Sequence, residues 1–538
     1  MTLVLKTYLK RGLIAGLILS ASTAAYSLNF DGSGHYALRG ETLTMPAAST
    51  DRGMFQAVRQ SFFLLGEARL HDKSSFFLGF RLFDNSRESW LGDSARPREC
   101  EAGRDEQCSG SHQSVREPGY LPYIPKVTEA YAQYAFDHCI LEAGRRSRHW
   151  GLGIFLDNGR SPFSPGASIY DGISCDINLQ KAQALGFSFG FDKLSETGSP
   201  IRDHSDLTFG PTNPHDDIDQ LFLTIVYDDR KSNAGSLFTK QIGIYGSRIA
   251  SPQTKRGGSN TDLTFVDLYT GFYYGPFTLK NEVLFTLGKT ADPNMVTLGG
   301  SYQDLNDEHG IATNKLNSIA FAGEFFWKLA SSGHYIGPEE YRQGDASSHN
   351  VFLRYAFAPG DADGYFDDKG DLSSAAAGSR TERLNVSHRD KNASAVSFHR
   401  NYRPALILFN GSSQTDDLRI DGIFDPGRVM NTQLYSLGYR YEDLILGNFE
   451  IRGIYANLNK SMPSDIKDFY RNEAAKPVGY YGNNLGFELD LAYEMSFGKD
   501  ASIGLAAGAL LPGKAWQLSD DQSVKNSYLL QSHITFYF

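Results

Sequence analysis

The last residues of the chain alternate between two kinds of side chain. From Ser527 to Phe538, one set of alternate positions is mostly apolar and aromatic, and the other is mixed polar. The first set is Tyr528, Leu530, Ser532, Ile534, Phe536 and Phe538, and the second is Ser527, Leu529, Gln531, His533, Thr535 and Tyr537. A β-strand has a side-chain period of two, so the pattern predicts a strand with one apolar and one polar face.

The same alternation recurs along most of the chain. It predicts a strand over 29–41 and a hairpin of 54–70 and 75–84 around the polar turn 71–74. Further strand-like runs are 127–136, 139–146, 219–228, 237–247, 262–274, 277–289, 316–330, 350–357, 432–442, 449–459, 483–497 and 502–511. A soluble β-propeller would show a blade-length repeat, and we find none.

The connections between these runs alternate in length. Short ones fall at 137–138, 275–276, 401–404, 443–444 and 498–500, and long ones at 85–126, 193–217, 291–314, 358–390, 412–430 and 460–482. Short turns at one end and long loops at the other are typical of a transmembrane β-barrel. We therefore predict an all-β fold: a single antiparallel transmembrane β-barrel of about 18–20 strands, an even number, with short periplasmic turns and long extracellular loops.

The amino end has the order of a secretory signal peptide. Lys6, Lys10 and Arg11 precede the apolar run 13–19, and small residues follow at 20–27. The run is too short to cross a bilayer, which takes ~20 residues, although a retained anchor is the alternative. We expect residues 1–27 to be removed and residues 28–538 to form the barrel.

Composition agrees with a barrel. The chain is 41% hydrophobic with 54 Gly, 29 Tyr and 36 Phe, yet its mean hydropathy is -0.36. Such a balance is expected when each strand shows one face to lipid and the other to water. The formal net charge of -10 is spread along the chain, with no basic cluster that would favour nucleic acid.

Two stretches resemble known barrels. The final strand resembles the C-terminal strand of Gram-negative outer-membrane β-barrels, whose terminal aromatic residue is read by the barrel-assembly machinery. Glu-Ala-Tyr at 129–131, Gly-Arg-Arg at 144–146 and His-Trp-Gly-Leu-Gly at 149–153 are similar to a signature of porin-like barrels and, more loosely, of alginate-export barrels. The resemblance implies a bacterial outer-membrane location, with membrane lipid, the assembly machinery and a hydrophilic solute as partners, and no cofactor.

The loop after residue 148 is a candidate pore constriction. It is rich in Gly and Pro, and if it folded inward its charges would face one another across a narrow lumen, as in pores that select by charge. The candidate residues are Arg145, Arg146, Arg148, His149, Trp150 and Asp157. The alternative is that Trp150 packs locally and the glycines only let the loop turn.

Charges on the polar faces of the strands carry both signs. The predicted lumen-facing residues include Arg39, Arg59, Arg69, Arg81, Glu129, Glu142, Glu488 and Asp490. Many are expected to pair across neighbouring strands and hold the wall together. An exporter of a polyanion would be expected to show a basic excess, whereas these charges are balanced.

The cysteines suggest one disulfide and no metal site. Cys100 and Cys108 share a predicted external loop in an oxidising compartment, so we expect them to be bridged. Cys139 and Cys175 are placed at opposite ends of adjacent strands, too far apart for a bridge unless the loop between them folds down. No CxxC pair supports a metal site, and the acidic loop at 361–371 lacks the EF-hand pattern.

No enzyme motif is present. The chain has no G-x-S-x-G elbow and no evident Ser/His/acid set. The sequence therefore predicts a porin-like channel for passive passage of hydrophilic solutes. The alternative is a non-conducting surface barrel whose long loops mediate cell-surface interaction.

Overall fold

The computed structural model describes the strands, most turns and parts of the loops. The described residues are 29–44, 54–82, 126–164, 167–178, 184–194, 219–230, 236–251, 261–290, 314–335, 344–360, 392–393, 396, 398–399, 401–409, 429–460, 482–516 and 524–538. The predicted signal peptide and the Cys100–Cys108 disulfide lie outside them.

Most strands follow the alternating segments predicted above, but those at 168–178, 185–194 and 392–393 lie outside the predicted runs. Their bounds are β1 (Asn29–Thr44), β2 (Met54–His71), β3 (Ser74–Leu82), β4 (Lys126–Ala135), β5 (Ile140–Arg148), β6 (Ser168–Asn178), β7 (Leu185–Leu194), β8 (Asp219–Asp228), β9 (Phe238–Ser251), β10 (Thr261–Tyr274), β11 (Phe277–Thr290), β12 (Asn314–Tyr335), β13 (Gly344–Ala358), β14 (Asn392–Ala393), β15 (Thr432–Asp443), β16 (Gly447–Leu458), β17 (Asn484–Phe497), β18 (Ala501–Pro512) and β19 (Ser527–Tyr537). A short 3-10 helix, Lys514–Trp516, follows β18.

The strands close into a barrel of 18 antiparallel strands. Each pairs with the next in sequence, except that β13 pairs directly with β15, while the short β14 pairs in parallel with β12. The closing pair joins β1 to β19. The predicted fold class and even strand number are confirmed.

The two faces of β19 are as predicted. Tyr528 and Leu530 are 55% and 61% exposed, whereas Ser527 and Leu529 are buried. Beyond the last strand, Gly34 and Phe538 exchange two backbone hydrogen bonds. The N–H of Gly34 donates to the carbonyl oxygen of Phe538 at 2.9 Å, and the N–H of Phe538 donates to the carbonyl oxygen of Gly34 at 3.1 Å. The terminal aromatic residue therefore takes part in closing the barrel.

Apolar side chains cover the outside of the barrel, and polar ones face inward. Outward positions such as Leu223, Ile244 and Leu489 are well exposed, while the inward Asp267 and Glu282 are buried within the interior. This is the alternation of a transmembrane barrel with a polar interior. Among the described residues, no helix is long and apolar enough to cross a bilayer.

Cys139 and Cys175 form a disulfide, with their Cα atoms 5.7 Å apart. The expectation that they lie too far apart was wrong. Because β5 and β6 are antiparallel, the beginning of one and the end of the other meet at the same edge, and Leu141 lies directly opposite Cys175.

Candidate functional site

The loop after β5 folds into the barrel. We call residues 149–164 the first inner segment; within it Ile154, Leu156 and Phe163 are buried. A tight turn opens it, in which the N–H of Gly153 donates to the carbonyl oxygen of Trp150 at 2.9 Å, and the N–H of Trp150 in turn donates to the carbonyl oxygen of Leu156 at 3.1 Å. Gly151 lies in this turn with φ 58°, a conformation that favours glycine.

One side of the first inner segment packs on the wall at β9–β11. The ring of Trp150 lies 5.7 Å from that of Tyr245, and the N–H of Leu152 donates to the carboxylate of Glu282. A Cβ atom on Gly151 would lie 2.5 Å from Oε2 of Glu282, so the backbone comes this close to the wall only with glycine there. The buried carboxylate and the glycine together fix where the segment enters the interior.

The other side of the segment reaches the wall at β1, β3 and β4. Arg160 Nη2 lies 2.7 Å from Oε1 and 2.8 Å from Oε2 of Glu129. Arg81 Nη1 donates to the carbonyl oxygen of Ser164 at 2.9 Å. The guanidinium of Arg39 lies 4.6 Å from the ring centroid of Phe163. The first inner segment therefore crosses the interior between these two parts of the wall.

Two arginines of β5 face inward at the base of this segment. Arg148 Nη2 lies 2.6 Å from a carboxylate oxygen of Asp192, and its guanidinium lies 3.6 Å from the ring centroid of Phe222. Arg146 Nη1 is 2.6 Å from Glu142, and its Nη2 is 3.7 Å from Asp192. The guanidinium groups of Arg146 and Arg148 therefore both lie beside the buried carboxylate of Asp192 on the inner wall.

Arg145 lies on the other face of the same strand. It points outward and pairs with Asp171 at 2.7 Å, with both side chains partly exposed. The period of two separates it from Arg146 and Arg148. The remaining constriction candidates, His149, Trp150 and Asp157, are in the first inner segment, and Asp157 Oδ2 lies 3.3 Å from Nδ1 of His149.

A second stretch of chain also lies inside the barrel. We call the described residues of 396–409 the second inner segment; Phe398, Leu408 and Phe409 are among its buried side chains. The stretch 401–404, predicted as a short connection between strands, belongs to it, so that prediction was wrong. Strands β13 and β15 pair directly, and the described residues of 396–409 between them lie in the interior.

Two buried carboxylates on β17 hold the second inner segment. The backbone N–H groups of Ile407 and Leu408 donate to Glu488 at 2.6 and 2.8 Å. The N–H of Leu406 donates to Glu488 at 2.9 Å and to Asp490 at 3.1 Å. These bonds satisfy donors of an irregular backbone that is shielded from water.

The two inner segments contact each other. The N–H of His399 donates to the carbonyl oxygen of Ile154 at 2.7 Å, and the amide of Asn401 donates to the carboxylate of Asp157. Burial by itself would raise the pKa of Asp157, but hydrogen bonds from His149, Asn401 and the N–H of Gly159 outweigh it and lower the pKa to about 2. Asp157 is thus held as a carboxylate where the segments meet.

The predicted lumen-facing charges lie on the inward faces of their strands, mostly in ion pairs. Arg59 lies 2.7 Å from Glu41, and Arg452 lies 3.0 Å from Asp490. Arg69 is at the turn end of β2, where it pairs with Glu67 and is half exposed. Among the described residues, no cluster of His, Cys, Asp and Glu could hold a metal ion.

Several residues of the interior were not singled out from the sequence as site residues. They are Asp192, Glu41 and the second inner segment. Alternation places Glu282 on an inward face. Nothing in the sequence reveals that its carboxylate accepts a hydrogen bond from the backbone N–H of Leu152, 130 positions away.

The fold defines the class of protein: a large β-barrel of outer-membrane architecture, with an apolar outside and a charged interior containing two inner segments. No family model matches the chain, and no curated protein matches it.

Solved structures with a similar chain course include outer-membrane proteins of Pseudomonas aeruginosa. The outer membrane protein OprD has 10% identity and a TM-score of 0.42, with 94% of this chain and 94% of that chain covered. OccK5 (OpdH) has 12% identity and a TM-score of 0.43, covering 94% and 98%. OpdK with vanillate has 12% identity and a TM-score of 0.43, again covering 94% and 98%. These values are too low to support a statement about activity, so the barrel assignment rests on the strand pairing itself.

Proposed function

We propose that the protein is an outer-membrane channel for passive passage of hydrophilic solutes, and that the inner segments form its constriction. One observation carries the proposal: an irregular, charge-bearing segment crosses the interior of a barrel whose outside is apolar. Non-helical backbone at membrane depth is tolerated where it is buried in protein or lines a water-filled cavity.

The proposed constriction consists of Arg146, Arg148, His149, Trp150 and Asp157. The arginines supply fixed positive charge on the wall, and Asp157 supplies negative charge where the segments meet. Opposed fixed charges at a narrow point of a lumen act on permeating ions and so set the ion selectivity of a pore. Arg145 faces outward and is left out of the proposed constriction.

The packing of Trp150 is consistent with a loop that forms the constriction and also with a loop in which Trp150 only packs locally. The ring contacts Tyr245 and covers Gly243, whose added Cβ atom would lie 2.8 Å from it. Trp150 therefore packs on the wall, and through that contact positions the rest of the first inner segment. Its proposed role is to hold the charged residues in place rather than to contact solute.

Conductance measurements test this proposal. The full-length mature protein, reconstituted into planar bilayers, should show discrete current steps. The double variant R146A/R148A should shift the reversal potential in a salt gradient toward cation selectivity, because Asp192 remains while two positive charges are lost. The shift should weaken as the Debye length falls from ~10 Å at 0.1 M to ~3 Å at 1 M salt.

The matched control is R145A/R248A, which removes two arginines that face outward on the same barrel. Its selectivity should equal that of the unaltered protein. A correctly folded barrel that carries no current would overturn the channel proposal and favour a surface-interaction role. Equal selectivity in R146A/R148A and the control would remove these arginines from the constriction.

A further inference from the structure

A row of mostly charged side chains crosses the outside of the barrel at the loop ends of β5–β12. On β5–β8 it consists of Arg145, Asp171, Lys193 and Asp219, each directly opposite the next. On β9–β12 it continues with Ala250, Asp262, Lys289 and Lys315, again in direct register. Because each pairing joins residues on the same face of the sheet, the row forms one continuous band.

This row marks the edge of the apolar outer surface. One outward position nearer the turn end, β6, β7, β8 and β11 carry large apolar side chains. They are Ile173, Phe191, Leu221 and Leu287, and they are 39–60% exposed. On β12 that position is Asn317, and Ile319, 51% exposed, follows at the next outward position. In a membrane barrel, the change from apolar to charged residues on the outside marks the level where acyl chains give way to headgroups.

The row differs in charge along its length. At one end, Arg145 and Asp171 carry opposite charges and form an ion pair with two contacts of 2.7 Å. Lys289 and Lys315, in contrast, lie directly opposite each other, and both are exposed. Like charges directly opposite on neighbouring strands are destabilising. A wall stabilised only by cross-strand ion pairs would not place two lysines there.

A third cation lies close to these lysines. Arg248 is outward, with a 63% exposed side chain, and its Nε lies 3.0 Å from Asp262 Oδ1. Asp262 in turn lies directly opposite Lys289. Arg248, Asp262, Lys289 and Lys315, here called the rim cluster, therefore hold three positive charges around one carboxylate that is already bound by arginine.

We propose that the rim cluster binds the phosphate groups of a phosphate-bearing lipid in the leaflet at the loop end of the barrel. A phosphate accepts charge-assisted hydrogen bonds from lysine and arginine, and it would relieve the repulsion between Lys289 and Lys315. The acyl chains of the same lipid would lie on Leu287 and Ile319 below. This inference rests on the proposed membrane placement, but not on whether the lumen conducts.

Lipid binding to the full-length mature barrel in phosphate-free detergent tests the proposal. Bisphosphorylated lipid A is titrated in, and its binding is followed by native mass spectrometry and by the thermal unfolding midpoint. Dephosphorylated lipid A and inorganic phosphate serve as separate arms. We expect only the bisphosphorylated lipid to bind tightly, and K289Q/K315Q to weaken its binding roughly tenfold.

The control K73Q/K499Q removes two lysines at the turn end and should bind lipid as the unaltered protein does. D262N should strengthen binding, because it removes the negative charge of the cluster; a purely structural ion pair would predict no gain.

Equal binding by K289Q/K315Q and its control, or an equal effect of inorganic phosphate, would overturn the proposal. If K289Q/K315Q does not fold, D262N and the charge-preserving K289R/K315R decide. Weaker binding in D262N would overturn the proposal, as would loss of binding in K289R/K315R.

Discussion

The backbone N–H of His399 donates a 2.7 Å hydrogen bond to the carbonyl oxygen of Ile154 inside the barrel. This bond joins two loops that come from different parts of the wall. Each loop is also tied to its own side of the barrel by a buried carboxylate, Glu282 for the first segment and Glu488 for the second. The interior is thus a connected layer of backbone, and displacing one segment should affect the other.

The substitution G151A should displace the first inner segment. The added methyl group would clash with the side chain of Glu282. The backbone at this position also has a φ of 58°, which alanine rarely adopts. The strain in φ alone costs about 1–2 kcal/mol, and the clash adds to it. We expect a lower unfolding midpoint and altered single-channel conductance.

G498A is the matched control, since Gly498 has φ 61° but no atom within 4 Å of an added Cβ. It should lose a similar amount of stability through φ and leave conductance unchanged. If G151A conducts like G498A, the position of the first segment does not set the conductance.

Neutralising Glu488 should loosen the second inner segment. In E488Q the carboxylate that accepts the N–H groups of Leu406, Ile407 and Leu408 becomes an amide. The amide offers one acceptor oxygen in place of two, and a buried donor left unsatisfied costs about 1–3 kcal/mol, so the loss should be large. Hydrogen exchange of peptides covering 401–409 should accelerate. E494Q, on the same strand but half exposed, should leave that exchange unchanged; identical rates in both variants would contradict the anchoring role.

The contact at Asp157 should depend on acid. Its pKa lies below the ordinary value of 3.8, at about 2, so the ionised form stabilises the docked segments. That contribution is fully present above about pH 4 and is lost as pH falls toward about 2. Conductance should therefore change within this window, and D157N should show no such change. A transition of equal size in D157N would assign it to another group.

The bridge between Cys139 and Cys175 should be detectable as a linked peptide in unreduced digests. Removing it with C139S/C175S should lower the free energy of unfolding by about 2–4 kcal/mol, the usual range for a disulfide. The predicted Cys100–Cys108 bridge closes a much shorter loop, so C100S/C108S should have the smaller effect. Free thiols at 139 and 175 would contradict the structure.

The sequence predicts the wall of this barrel well and its interior poorly. Residues 219–228 were delimited correctly, because apolar and polar residues alternate there and the strand has one lipid-facing side. The second inner segment shows no period, since its buried residues lie on irregular backbone whose partners are carboxylates about 80 positions away. No local pattern encodes such contacts.

Two other errors concern the placement of individual side chains. Alternation that places Arg146 inward must place Arg145 outward. Antiparallel pairing of β5 with β6 brings Cys139 and Cys175 to one edge. For Arg145 the strand was predicted correctly, but its alternation was not carried through to the side chain. For the cysteines, the strand that holds Cys175 was not among the predicted runs.

Pairing of the first strand with the last has a consequence for biosynthesis. Tyr528 donates its N–H to Oγ1 of Thr44, 484 residues earlier in the chain, so one edge of β1 has no partner until the carboxyl end has been made. Unpaired strand edges are templates for aggregation. A chain without β19 would expose that edge permanently, so the closing pair also protects the barrel against edge-to-edge association.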